Sequence, residues 1–370
     1  MISHDHDSVK ERLVALTRDL MLVPTTVSRP EEMLRGFQLI KNHLEGLEKI
    51  KIQDFEDKGV PSLVAFPAGK SKPEILICAH LDVVDFPSAS AFSSKIENGR
   101  IIGPGAGDMK GCLAIGLEIF RLFHHLHPGI PLGLAITSDE EVGGASGIGF
   151  LFDKKNLRCS LALVPDGGSL DGVTTHEKGI LHLKLTCRGE FSHASRPWEG
   201  SNALSRLMDN VSRVERMFAQ MLEGVEHWHP TCSPTLLHTS NEVFNRIPDH
   251  AEAVLDIRFP TPHSVESVLE KIRGCVDPDV ELETLIHAQP TDLRPDPLYF
   301  SIAEQVTGAP IREVRDHGGS DARFIAAKGI PVIISRPTVG HLHSVEEWID
   351  IESMVTFYRI YERYIAAKLL

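Results

Sequence analysis

Two textures of hydrophobic patterning alternate along the chain. Ile75–Val84 (ILICAHLDVV) is apolar almost without a break over a strand's length, as in a strand buried on both faces. Leu132–Thr137 (LGLAIT) and Leu161–Val164 (LALV) repeat that texture. Elsewhere apolar residues return every three to four positions. Val9 to about Met21, Glu31 to about Leu47 behind Pro30, and Met109 to about Leu126 are predicted helices. Strands alternating with helices predict an α/β domain on a central sheet.

The pattern changes near Lys178. Ile180–Arg188 (ILHLKLTCR) alternates apolar and polar residues, the mark of a half-exposed strand. It is either a covered strand or an edge open to pairing across a two-fold axis. An amphipathic helix is predicted at about Asn202–Gly224, then strands at Thr235–Val243 and Ala251–Phe259. A helix around Ser264–Arg273 and a strand at Val280–His287 complete a sheet covered by two helices. The connector AQPTDLRPDP (Ala288–Pro297) holds three prolines. Strand–helix alternation then resumes at Ile311–Val314, Ala322–Lys328, Pro331–Ser335 and a last helix from about Ile351. The expectation is a discontinuous α/β domain of residues 1–177 and 291–370, interrupted by an α+β domain at 178–290.

Composition narrows the function. The 370 residues are 42% hydrophobic with a formal net charge of -13, which disfavours nucleic acid or an anionic membrane as partner. No run of about 18 apolar residues suggests a membrane span. The stretch MISHDHDSVKERLVALTRDL lacks a basic segment followed by an apolar core, so no signal peptide is expected. The six cysteines are scattered, with no CxxC pair, and read as free thiols in a reducing compartment, the cytoplasm by default.

Candidate chemistry gathers where predicted strands end, the place where open α/β sheets bind ligands. ILICAHLDVV carries His80 and Asp82. LGLAIT runs into Asp139, Glu140 and Glu141. LALV runs into Asp166. The loop GPGAGDMKG supplies Asp108, and HLHSVEEW supplies His341 and His343. At period 2 the side chains of His80 and Asp82 share a face, so Asp82 could hold one imidazole nitrogen while the other binds a metal. Each feature alone also has a structural reading: Asp108 as a helix cap, Asp166 as a turn residue, His343 as a surface loop. Together, two imidazoles and at least three carboxylates make a mixed nitrogen and oxygen site suited to zinc, cobalt or manganese. Five ligands with one carboxylate shared suit two metals. GPGAGD is not GxGxxG, and GGASGIG does not form a G-x-S-x-G elbow, so neither dinucleotide binding nor a serine nucleophile is supported.

The ordered segments HLDVV, GRIIGPGAGDMKGCLA, TSDEEVGG, PDGG and HSVEEW resemble the metallohydrolase family of aminoacylases, acetylornithine deacetylase, succinyl-diaminopimelate desuccinylase and glutamate carboxypeptidase. The resemblance spans essentially the whole chain. It implies a catalytic domain with a mixed, mostly parallel sheet flanked by helices, and an inserted lid and dimerisation domain of four strands and two helices. It implies two divalent ions, zinc by expectation with cobalt or manganese possible. His80 and Asp166 would hold one ion, Glu141 and His343 the other, and Asp108 would bridge them. Asp82 would orient His80, and Glu140 would be the general base. The Asp108–Met109 peptide would be cis. His193 in GEFSHASRP matches a histidine that reaches the partner subunit's site in a homodimer. Arg258 and Asn245 match positions near the substrate carboxylate, and Gly319 and Ser320 offer further donors.

The resemblance thus implies cleavage of an amide in an N-acyl amino acid or a short peptide. Within the family, Asp at the position of Asp166 accompanies peptidases and Glu accompanies deacylases, which favours the carboxypeptidase side. A catalytically inactive metal-binding scaffold with a regulatory role is the alternative from another class. It would be expected to lack Glu140 or a ligand, and none is missing.

Overall fold

The unbroken apolar runs become the inner strands of one sheet. Leu132–Thr137, Ile75–His80, Leu161–Val164 and Val332–Ile334 lie side by side and parallel, and all their residues are buried. The computed structural model describes residues 5–70, 72–221 and 227–370. In Ile75–His80, Ile75, Ile77 and Ala79 enter one apolar cluster while Leu76 and Cys78 enter another. Helices His6–Met21, Gly111–Leu126 and Ile351–Leu369 cover the first face, and Ile148–Asp153 and Ala322–Ala326 cover the second. Burial on both faces is why no polar alternation marks these strands.

Antiparallel strands extend the sheet, Val60–Pro67 and Ile50–Asp57 on one side and Gly172–Glu177 on the other. The result is a mixed sheet with a parallel centre, flanked by helices. A hairpin at Lys58-Gly59, with φ values of 51° and 83°, joins the first two. A small antiparallel sheet orders Val339–Gly340, Trp348–Asp350, Arg100–Ile102 and Lys95–Glu97.

The chain forms two compact units. One takes the residues up to Thr175, Asp292–Arg315 and Ser320–Leu370; the other takes His176–Thr291 and Asp316–Gly319. Asp316–Gly319 joins the second because Lys178 N donates to Asp316 O at 3.1 Å and the His317 ring packs on Trp228 at 5.7 Å.

The second unit holds a four-stranded antiparallel sheet in the order Thr231–His238, His250–Phe259, Gly179–Arg188, Glu281–Ala288. Helices Ala203–Ala219 and Val265–Cys275 pack on one face of it. One alternative falls here and one expectation changes. Gly179–Arg188 is paired on both sides, so it is no open edge; the edge strands are Thr231–His238 and Glu281–Ala288. The strand expected at Thr235–Val243 begins at Thr231, because a register shift between Pro234 and Leu236 lets an edge strand hold a proline. The end of the helix expected to reach Gly224 lies outside the described residues.

Candidate active site

The parallel strands deliver their ends to one place. His80 closes its strand, Asp166 stands two residues beyond Val164, and Asp139, Glu140 and Glu141 follow Thr137. Asp108 lies in the turn Ala106–Lys110 that opens helix Gly111–Leu126. His343 lies between the short strands Val339–Gly340 and Trp348–Asp350. All belong to the first unit.

Their donor atoms form two groups. One atom each from His80, Glu140 and Asp166 lie within 4.8 Å of one another, and so do atoms of Asp108, Glu141 and His343. Asp108 joins the two. Its Oδ1 is 3.2 Å from His80 Nε2 and its Oδ2 is 3.3 Å from His343 Nε2. His343 Nε2 is also 3.3 Å from Glu141 Oε2, and His80 Nε2 is 4.0 Å from Asp166 Oδ2.

Asp82 works differently from the simple period-2 picture. The strand ends at His80, so Asp82 is not on it. His80 Nδ1 donates to the Asp82 carbonyl oxygen at 3.0 Å, with the carboxylate Oδ1 at 3.5 Å. That donation leaves Nε2 facing the site, 3.2 Å from Asp108 Oδ1. Asp82 Oδ2 accepts from Glu141 N at 3.0 Å, tying the segment after His80 to the turn that carries Glu141.

Three consecutive carboxylates meet three different fates. Asp139 Oδ2 is turned away to accept from Ser146 N at 2.8 Å and Gly147 N at 3.0 Å. Glu140 enters the group with His80, and Glu141 the group with His343. Burial, reinforced by Asp166, pushes Glu140 well above the ordinary carboxyl range. Burial likewise pushes Glu141 up to about 7. Hydrogen bonding to Asp108 raises His343 to about 9. Asp108 is held low: burial opposes its charge, and His343 and His80 outweigh that.

These residues fit a pair of divalent cations. Glu141 Oε1 is buried without a hydrogen-bond partner, a cost of about 1–3 kcal/mol that a cation would remove. Imidazole nitrogen with carboxylate oxygen and no thiolate is the donor set of hydrolytic zinc, cobalt or manganese sites. The Asp108–Met109 peptide is cis, as the resemblance implied.

Residues 76–367 match the model of peptidase family M20/M25/M40. The chain belongs to this family. It is therefore a metal-dependent hydrolase. It is 29% identical over 324 residues to a succinyl-diaminopimelate desuccinylase of Thioalkalivibrio sulfidiphilus, covering 79% of this chain and 83% of that one. The desuccinylase of Methylococcus capsulatus is 28% identical over 320 residues, covering 80% and 83%. Among solved structures, an M20 family metallo-carboxypeptidase from Sulfolobus solfataricus superposes with a TM-score of 0.78 at 18% identity, covering 96% of this chain and 98% of that one. A Staphylococcus aureus tripeptidase gives a TM-score of 0.76 at 18% identity, covering 96% and 99%. Both share the M20 fold.

The remaining candidate residues of this M20 chain have defined surroundings. His193 is exposed, and its Nδ1 accepts from Ser195 N at 3.2 Å. Arg258 donates through Nε and Nη2 to Asp256 at 2.6 and 3.0 Å, which is an ion pair within its own strand. The Asn245 carbonyl accepts from Ala194 N at 2.8 Å, and its side chain is exposed. Ser320 is buried, and its Oγ accepts from Ala322 N at 3.2 Å.

Sequence reasoning passed over three groups, of which Lys110 and Glu347 are buried and Arg336 is half-buried. Arg336, two residues beyond strand Val332–Ile334, places Nη1 3.8 Å from Asp166 Oδ1. Lys110 is fully buried, donates to Val23 O at 2.7 Å, and is pushed down to about 7 by burial. Glu347 lies behind Asp108 and His343. Position beyond an apolar strand could have pointed to Arg336; nothing in the sequence distinguished Glu347 from Glu346.

Proposed function

We propose that this M20 chain is a di-zinc amidohydrolase that cleaves an amide bond next to a carboxylate-bearing amino acid. The observation that carries the reading is Asp108 with one oxygen toward each histidine, between two ligand groups, with Glu140 in the first. His80 and Asp166 would hold one ion, Glu141 and His343 the other, with Asp108 shared. Bound, the ions supply Lewis acidity that polarises the scissile carbonyl and acidifies water.

The chain's own residues do the rest. Glu140 takes the proton of the attacking water and delivers it to the leaving nitrogen. Burial and the neighbouring Asp166 raise its proton affinity, which suits a group that accepts a proton. Asp82 fixes the His80 tautomer through its carbonyl. His193, acting at the site of a second subunit, stabilises the oxyanion, and Arg258, Asn245 and Ser320 bind the substrate; these four roles rest on the resemblance. The substrate class is an N-acyl amino acid, supported by the desuccinylase relatives. Asp166 at its position favours a second reading, a carboxypeptidase acting on short peptides. An inactive scaffold is disfavoured because Glu140 and the five proposed ligands are all present and lie in two groups.

A homodimer is part of the proposal. The strand Thr231–His238 is an open edge that exposes Leu236 and Leu237, the kind of edge that pairs across a two-fold axis.

The test is Glu140→Gln on metal-replete protein, assayed on N-acetyl and N-succinyl amino acids and dipeptides. Turnover is expected to fall about 100- to 10,000-fold while both ions stay bound. Near-normal turnover with metals in place sinks the assignment of the base. Hydrolysis of none of these amides by the wild-type protein sinks the substrate reading.

A further inference from the structure

Glu347 is 2% exposed and carries no assigned role. Its Oε1 accepts from Gly107 N and from Asp108 N, both at 2.8 Å. Its Oε2 accepts from His343 N at 3.2 Å. Its own carbonyl accepts from Gly103 N at 2.7 Å. One buried carboxylate therefore spans the loop that carries Asp108 and the turn that carries His343. These are the two residues whose side chains meet at 3.3 Å.

The backbone at both ends needs such a hold. His343 has φ of 60°, a left-handed conformation that a non-glycine residue adopts at a cost. Gly107 comes so close to the neighbouring strand that a Cβ on it would stand 2.8 Å from Val339 Cβ. That approach, open to glycine alone, brings its N–H to the Glu347 carboxylate. Fixing the Asp108 amide fixes the direction in which its carboxylate leaves the main chain.

We propose that Glu347 is a positioning residue of the metal centre: its carboxylate holds the backbones of Asp108 and His343 in one frame, so that their side chains converge on the same ion. This rests on the reading of the two groups as metal sites. Residues that orient metal ligands typically contribute about 10- to 100-fold to metal affinity.

Glu347→Gln tests it. The amide keeps the size but presents –NH2 to one of the two loops, so one side of the clamp is lost. Zinc affinities are measured by chelator competition, cobalt-loaded protein is compared by its d–d absorption, and the metal-free chains are compared by circular dichroism and melting. The expected result is a folded metal-free variant that binds zinc about 10- to 100-fold more weakly, with an altered cobalt spectrum. Glu346→Gln, at the exposed neighbour, is expected to match wild type in both. A Glu347→Gln protein with wild-type zinc affinity and an unchanged cobalt spectrum overturns the proposal. So does a metal-free variant that fails to fold, since Glu347 would then be structural. Wild-type protein that binds no zinc instead overturns the metal reading itself.

Discussion

Metal affinity of the Asp108, Glu141 and His343 group should depend steeply on pH. The perturbation is a drop from pH 8 to pH 6. Both Glu141 and His343 must shed their protons to hold an ion, and both have raised pKa values, about 7 and about 9. Raised values mean stronger proton competition, so affinity climbs with pH and levels off above about 9. Asp108 is held low and adds nothing over this range. Removing the two protons weakens binding about 1,000-fold more at pH 6 than at pH 8. The ordinary values of 4.5 and 6.5 would give only about fourfold. The assay is zinc competition against a chelator at pH 6, 7 and 8, corrected for protonation of the chelator. The other group has the same sign, because Asp108 and Asp82 hydrogen bonds raise His80 against the effect of burial. Dissociation constants that all change less than tenfold between pH 6 and pH 8 refute the reasoning.

Three further outcomes follow from particular contacts. Asp139→Ala frees the amides of Ser146 and Gly147, a loss of about 2–4 kcal/mol; hydrogen exchange across 140–150 should quicken at least about 30-fold, and unchanged exchange argues against the anchoring role. Leu237→Asp places a charge on the open edge strand; sedimentation should show a dimeric wild type and a monomeric variant, and a monomeric wild type ends the dimer proposal. Tyr361→Phe removes a buried hydroxyl with no hydrogen-bond partner among the described residues; stability in denaturant should hold or rise by about 1 kcal/mol, and a clear loss reveals an unrecognised partner.

Much of the first unit was legible because burial on both faces leaves a plain signature. Leu132–Thr137 and Leu161–Val164 match their expected bounds to the residue. The hairpin Ile50–Pro67 was not foreseen, since its outer strand alternates charge with exposure and only Lys58-Gly59 marks the turn. In the second unit, alternation in Gly179–Arg188 showed a half-exposed strand but not its neighbours. A strand paired on both edges and one paired on a single edge can carry the same pattern on their faces. Lys110 and Glu347 eluded sequence reasoning because their partners lie far along the chain. Glu347 reaches Gly107 across 240 positions, and its partners are main-chain amides, which leave no mark on residue type.

The SDEE sequence shows how such crowding is sustained. Consecutive residues beyond a strand end point in different directions, so like charges adjacent in sequence need not face each other. Asp139 spends its charge on main-chain donors, which need no partner ion. Burial raises the proton affinity of all three, and for Asp139 those donors oppose the rise. In the protein alone, protons on Glu141, His343 and His80 therefore supply the positive charge that the pocket lacks. A divalent ion can replace them because it satisfies several oxygens at once. The cost of burying these acids and the affinity for metal are thus one quantity. A substitution that merely removes the Glu141 carboxylate should stabilise the metal-free fold as it destroys the site.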